Sequence, residues 1–204
     1  MGPGLTLTIK DLRLARLFSA AVLGNWEELR RLRRAAPAGE PDRAWREAIL
    51  QVHIFAGFPR LVETFGVLAE EGGLGQAQPD ELEDLAPPAF AARGQKLFDL
   101  IYGDQSERVG ALLESYHTDF ATWITSHAYG GVLSRDGLEG AQRELLACCA
   151  LAALGQERQF QSHARGSLRL GASLDDLATT LTTVADLLPP ENLIRAQAII
   201  AGLN

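Results

Sequence analysis

Apolar residues recur at three- and four-residue intervals along nearly the whole chain, and strand-type alternation is almost absent. That period confines the fold to packed helices, which Gly and Pro then divide. One helix is predicted over roughly 10–23, with Leu12, Ala15, Leu17, Phe18, Ala21 and Val22 as its apolar residues. Asn25, with Glu28 three residues on, reads as a capping box for a second helix, which Pro37 and Gly39 end. A third opens near Pro41-Asp42 and carries "RAWREAILQVHIFAGF"; Pro59 opens a fourth, "RLVETFGVLAEE", which stops at Gly72-Gly73. Turn formers crowd "GGLGQAQPDELEDLAPPAFAAR", 72–93, the best linker in the chain. Further helices are predicted near 94–102, 106–116, 119–129, 139–154, 156–170, 173–188 and 190–202, with "GGVLSRDGLEG" a loop and Ser173–Asp176 a second capping box. The chain reads as all-α.

A repeat lies underneath. "RLFSAAVLGNWEELRRLRR" (16–34) aligns with "ACCALAALGQERQFQSHAR" (147–165), and "AWREAILQVHIFAGFP" then falls on "DLATTLTTVADLLPPE". Each copy runs helix, Gly turn, helix, Gly turn, long helix, Pro, helix. The implied organisation is a divergent N-terminal unit, 1–72, a linker, 73–93, and a C-terminal unit, 94–204. The copies differ chemically: Arg13 stands where the second has Glu144, and Leu32 where it has His163. A site, if there is one, belongs to the second copy.

With 204 residues, 47% of them hydrophobic, the chain can bury an ample core. A net charge of −7 gives no footprint for nucleic acid, and the arginines of "RRLRR" (30–34) spread around a helix as a solvated face would. No basic segment followed by an apolar run opens the chain, and no uninterrupted apolar stretch reaches about 18 residues. A cytoplasmic protein without membrane contact is expected. Cys148 and Cys149 are adjacent, and neighbouring Cα atoms about 3.8 Å apart fall below the ~4.4 Å that ordinary disulfides need. They read as two buried thiols. No histidine pair has HxxxH spacing, and there is no phosphate loop and no GxSxG, so neither metal nor cofactor is expected.

The stretch "DFATWITSHAYGGVLSRDGLEGAQRELLACCALAALGQERQFQSHARGSLRLGAS", 119–173, resembles the carboxymuconolactone decarboxylase family of the AhpD-like superfamily. "REAILQVHIFAGFPRLVETFGVL", 46–68, resembles that family's closing segment with its Y-A-G-x-P turn. That segment normally follows the histidine helix; here its best copy comes first, as expected of two fused units. The resemblance implies an AhpD-like helical bundle, a small-molecule substrate and a homo-oligomer. Single-unit relatives form hexameric rings or trimers, so a double unit implies a trimer, with a dimer as the alternative. Peroxidase members carry a glutamate, a CxxC pair and a histidine one turn later. The matching positions here are Glu144, Gln156, Gln159 and His163. Glutamine forms no thiolate, so thiol peroxidase chemistry is lost there. Decarboxylase members lack CxxC too, and this chain sits nearer to them.

Gly155 joins the Glu144 and His163 helices with almost no loop, so they are antiparallel neighbours and the two side chains can approach. A carboxylate beside an imidazole orients it and favours its protonated form. Loss of CO₂ leaves carbanion density that such a donor can quench. The expected roles are His163 as general acid, Glu144 as its orienter, Arg143 and Arg135 as clamps for a substrate carboxylate, and Gln159 as a donor to a lactone carbonyl. His127, before a Gly turn, would line the same cleft. The alternative is structural, with Glu144 an ordinary first-turn acid and His163 a satisfied edge histidine. His53 reads as a core or interface histidine, His117 as exposed, and Trp26, Trp45 and Trp123 as core or interface residues. The expected activity is a cofactor-free lyase acting on a small carboxylated lactone or related acid. The competing readings are an AhpD-like redox protein using Cys148 or Cys149, and a non-catalytic oligomeric ligand-binding member.

Overall fold

The computed structural model describes residues 5–37, 42–82 and 87–203, and among them it contains helices and no strand. The turn expected at Gly39 and the helix start at Pro41 lie outside the described residues. The first helix, α1 (Ile9–Leu23), opens on a capping box that the sequence reading passed over. The Thr8 hydroxyl accepts from the Asp11 N–H, and the Asp11 carboxylate takes the Thr8 N–H at 2.8 Å. In α2 (Trp26–Arg34), Asn25 caps the Glu28 N–H at 3.1 Å. Glu28 does not close the box, because its carboxylate is held by Arg16 and Arg31 instead. Arg30 and Arg34 reach Glu70 and Glu71, so "RRLRR" is an ion-paired surface.

Helix α3 (Asp42–Glu70) joins the two predicted helices across a break at Gly57 (φ 81, ψ 165), two residues before Pro59. Only glycine adopts that conformation cheaply, and Pro59 keeps the residue before it out of the helical region. By length and composition α3 could cross a bilayer, with mean hydropathy 1.2 over 18 residues. The break at Gly57 interrupts that span.

After a short 3₁₀ turn at Pro79–Glu81 comes α4 (Pro87–Tyr102). It starts within the stretch read as a linker, because a proline at the first helical position costs no hydrogen bond. Of the remaining linker, Glu81 is buried and held by Arg46 at 2.5 Å, and 83–86 lie outside the described residues. Then follow α5 (Ser106–Tyr116), α6 (Thr118–Thr122) and, in place of a continuing α-helix and loop, a π-helix over Trp123–Leu133. The π-helix packs most extensively on α4, backbone to backbone. A Cβ on Gly94 would lie 1.8 Å from the Thr125 carbonyl oxygen, and one on Gly130 would lie 2.0 Å from that of Phe90.

The chain ends with α7 (Gly140–Ala153), α8 (Glu157–Arg169), α9 (Leu174–Thr183) and α10 (Pro190–Ala201). Ser173 and Asp176 form the expected capping box of α9. The α1–α2 and α7–α8 hairpins turn on matching left-handed glycines, Gly24 (φ 72) and Gly155 (φ 68). In each, the next residue's N–H bonds a carbonyl five back at 2.8 Å, Asn25 to Ala20 and Gln156 to Leu151. The main hydrophobic core draws on both ends of the chain, from Leu14, Phe18, Ile49 and Val52 to Leu145, Phe160 and Leu177. A smaller cluster of Phe98, Ile101, Tyr129 and Leu133 lies between α4 and the π-helix.

Candidate active site

Helix α7 is buried along almost its whole length. A helix buried all round should be apolar all round. This one carries Arg143 and Glu144 side by side, each about 1% exposed. Buried charges need partners, and the two residues find different ones.

Glu144 faces α8. The His163 Nδ1–H donates to Glu144 Oε2 at 2.9 Å, and both residues are buried. The carboxylate can only accept there, so Nδ1 carries a proton, and Nε2, a bare lone pair in the neutral ring and a donor in the imidazolium, is the nitrogen left to act. Among the described residues Nε2 has no hydrogen-bond partner. The pair is walled by residues that the sequence reading did not single out. The Phe55 ring stands edge-on to His163, centroids 6.4 Å apart, and brings the "FAGFP" segment of α3 to the site. Gly166, three residues after His163, makes room for the carboxylate: a Cβ there would fall 2.7 Å from Glu144 Oε2 and 2.8 Å from Ile101 Cγ2. Tyr129 donates to Tyr102 at 3.1 Å, and burial pushes both phenols up, with the nearby Glu144 charge adding to it.

Cys148, one turn after Glu144, and Cys149 are buried and unpaired with each other. Burial, then the Glu144 charge, pushes the Cys148 thiol well up. Burial raises Cys149 to about 12, against the opposing effect of the Ser19 hydroxyl. Neither is a thiolate at neutral pH.

The other predicted site residues go elsewhere. Arg143 and Arg135 were expected to clamp a substrate; instead both bind Glu47 of α3, each at 2.8 Å. Arg143 also donates to the Arg135 carbonyl at 2.9 Å, and Arg135 to the Glu81 carbonyl at 2.9 Å. Glu47 is about 1% exposed, so it needs two cations more than a ligand needs them. Burial pushes the Glu47 carboxyl up, but hydrogen bonds from Arg135 and Arg143 outweigh that and hold it below the usual range. Gln159 is exposed and shares no hydrogen bond with His163 among the described residues. His127 is exposed and meets His53, Nε2 to Nε2 at 2.8 Å, not His163. His117 is exposed, and its Nδ1 accepts from the Asp119 N–H. Trp45 is buried beneath Arg33, Trp26 lies under Arg60, and Trp123 is exposed. Glu47 could have been found by asking which carboxylate lies on an apolar helix; Phe55 carried no such signal outside the turn motif.

The carboxymuconolactone decarboxylase family matches residues 118–189, which include the π-helix, Glu144 and His163. The 4-carboxymuconolactone decarboxylase of Acinetobacter baylyi is 35% identical over 65 residues, 32% of this chain and 48% of that protein. Peroxisomal protein 2 of Schizosaccharomyces pombe is 27% identical over 135 residues, 65% of this chain and 62% of that protein. The chain thus spans less than two thirds of either relative. Residues 118–189 of this chain are thus similar to the carboxymuconolactone decarboxylase family.

Proposed function

We propose that this protein is a cofactor-free carbon–carbon lyase that removes CO₂ from a small carboxylated lactone or related acid, with His163 as the acid. The observation that carries this reading is the buried Glu144–His163 hydrogen bond, within the segment matching the family. Heterolysis of the C–COO⁻ bond releases CO₂ and leaves its electron pair delocalised into the lactone as a dienolate. Protonated His163 delivers its Nε2 proton to that carbon system, shifts the double bond, and is reprotonated from solvent. Glu144 holds the ring and balances its positive charge. Phe55 supplies an apolar wall that keeps water from the reacting carbon. Arg135 and Arg143 have structural roles in this scheme. The high thiol pKa values weigh against a redox reading through Cys148 or Cys149.

Assembly belongs to the same proposal. Phe58 and Val62 on α3, and Tyr116 and Trp123 around α6, are each more than 60% exposed. Apolar surface of this kind suits association of copies of the fused double unit, a trimer first and a dimer otherwise.

The test is CO₂ release and product formation from 4-carboxymuconolactone and a panel of lactone and β-keto acids, wild type beside His163→Ala. Turnover should fall by about 10²–10⁴-fold in the variant. Equal rates in two folded proteins would remove His163 from the chemistry.

A further inference from the structure

We propose that His53 and His127 form a binding site for a late first-row divalent metal ion, separate from the Glu144–His163 pair. The two residues lie 74 positions apart, so no spacing rule could join them; the fold does. The His53 Nδ1 lies 2.5 Å from the Leu50 carbonyl oxygen, which can only accept, so that nitrogen carries the proton. The Nε2 of His53 is therefore a lone pair, aimed at His127. Fixing a ring through an Nδ1–H bond to a backbone carbonyl is how proteins orient metal-binding imidazoles. Phe58 stacks on the His53 ring at 4.8 Å, with 11° between planes, and holds it from the other side.

His127 is the adaptable partner. It is exposed, sits on the π-helix, and makes no other hydrogen bond among the described residues. With its proton on Nε2 it donates to His53 across the 2.8 Å contact. With that proton moved to its own Nδ1, His127 also offers a lone pair, and the two nitrogens can share a cation with no net change in protonation. Two ligands about 2.0–2.1 Å from one metal at a right angle lie about 2.8–3.0 Å apart. The nitrogens are already 2.8 Å apart, but an ion on the His53 lone pair would sit almost on the present His127 nitrogen, so the exposed His127 ring must swing aside by about 2 Å to present its own lone pair at a right angle. That spacing suits the cis positions of Cu²⁺ or Ni²⁺. The groove of about 270 Å³ beside His127, lined with it by Phe90, Ser126 and Gly131, gives that ring room to swing and leaves the remaining ligands to solvent. Among the described residues no third His, Cys, Asp or Glu stands in reach, so those ligands are waters or a small chelating acid. Such a site is exchangeable, not structural.

Cu²⁺ alone, titrated into the full chain, tests this by electron paramagnetic resonance and calorimetry. One equivalent should bind, with superhyperfine coupling to two nitrogens. His127→Gln, an exposed change that should not disturb folding, should cost roughly tenfold or more in affinity and remove one nitrogen coupling. His53→Gln should do the same, and His163→Ala should change neither readout. No binding, or binding unaltered in His127→Gln, would overturn the inference. So would a signal lost only in His163→Ala.

Discussion

Glu47→Ala is expected to lose about 3–5 kcal/mol of stability, read as a fall in the urea midpoint at pH 7. The substitution leaves Arg143, about 1% exposed, and the mostly buried Arg135 without the carboxylate between them. Removing one member of a buried ion cluster takes from the other charges a partner they were desolvated to meet, which costs more than the cluster contributes. The same residue sets an acid limit. Its folded pKa is depressed, so the unfolded chain binds the proton more readily. Its stabilisation is complete above the ordinary glutamate value, about 4.3, and is lost as pH falls through the lower folded value. In Glu47→Ala that segment of the acid-unfolding curve should flatten. A variant as stable as wild type, with unchanged acid sensitivity, would mean that the cluster is incidental.

Gly130→Ala should be comparably damaging, by a different mechanism. The added Cβ would fall 2.0 Å from the Phe90 carbonyl oxygen and 2.7 Å from its carbon. Overpacking costs about 1–3 kcal/mol where side chains can yield. Here the obstacle is backbone on α4, so the expected loss is at or above the top of that range. Gly131→Ala is the control, since its Cβ would meet nothing closer than 3.7 Å. Thermal unfolding of the two variants should separate them clearly. Equal melting temperatures would show that α4 and the π-helix can part without cost.

Much of this architecture is legible in the sequence, because helical period, Gly turns and Pro starts are local signals. Gly24, Gly155 and Pro59 each mark a break where the chain breaks. The antiparallel pairing of α7 and α8 follows from the short Gly155 turn, and the Glu144–His163 contact follows from that pairing. What the sequence hides is tertiary. The π-helix has no distinct period of its own, and its wide turn accompanies the Gly94–Gly130 crossing with α4. Arg135 and Arg143 look like substrate clamps until Glu47, on a helix some 90 residues earlier, is seen between them. His127 looks like a neighbour of His163 until it meets His53. Each of these depends on which helices touch, and local pattern does not encode that.

The site rests on one arrangement: Glu144 holds the proton of His163 on Nδ1 and leaves Nε2 for substrate. Nitrogen-15 NMR of imidazole-labelled protein at neutral pH, wild type beside Glu144→Gln, reads that arrangement directly. We predict a protonated, slowly exchanging Nδ1 on His163 in the wild type, and a loss of that protection in Glu144→Gln. A wild-type His163 with Nδ1 bare and its proton on Nε2 would contradict it, since Glu144 would then be the donor and the proposed acid would be wrongly assembled.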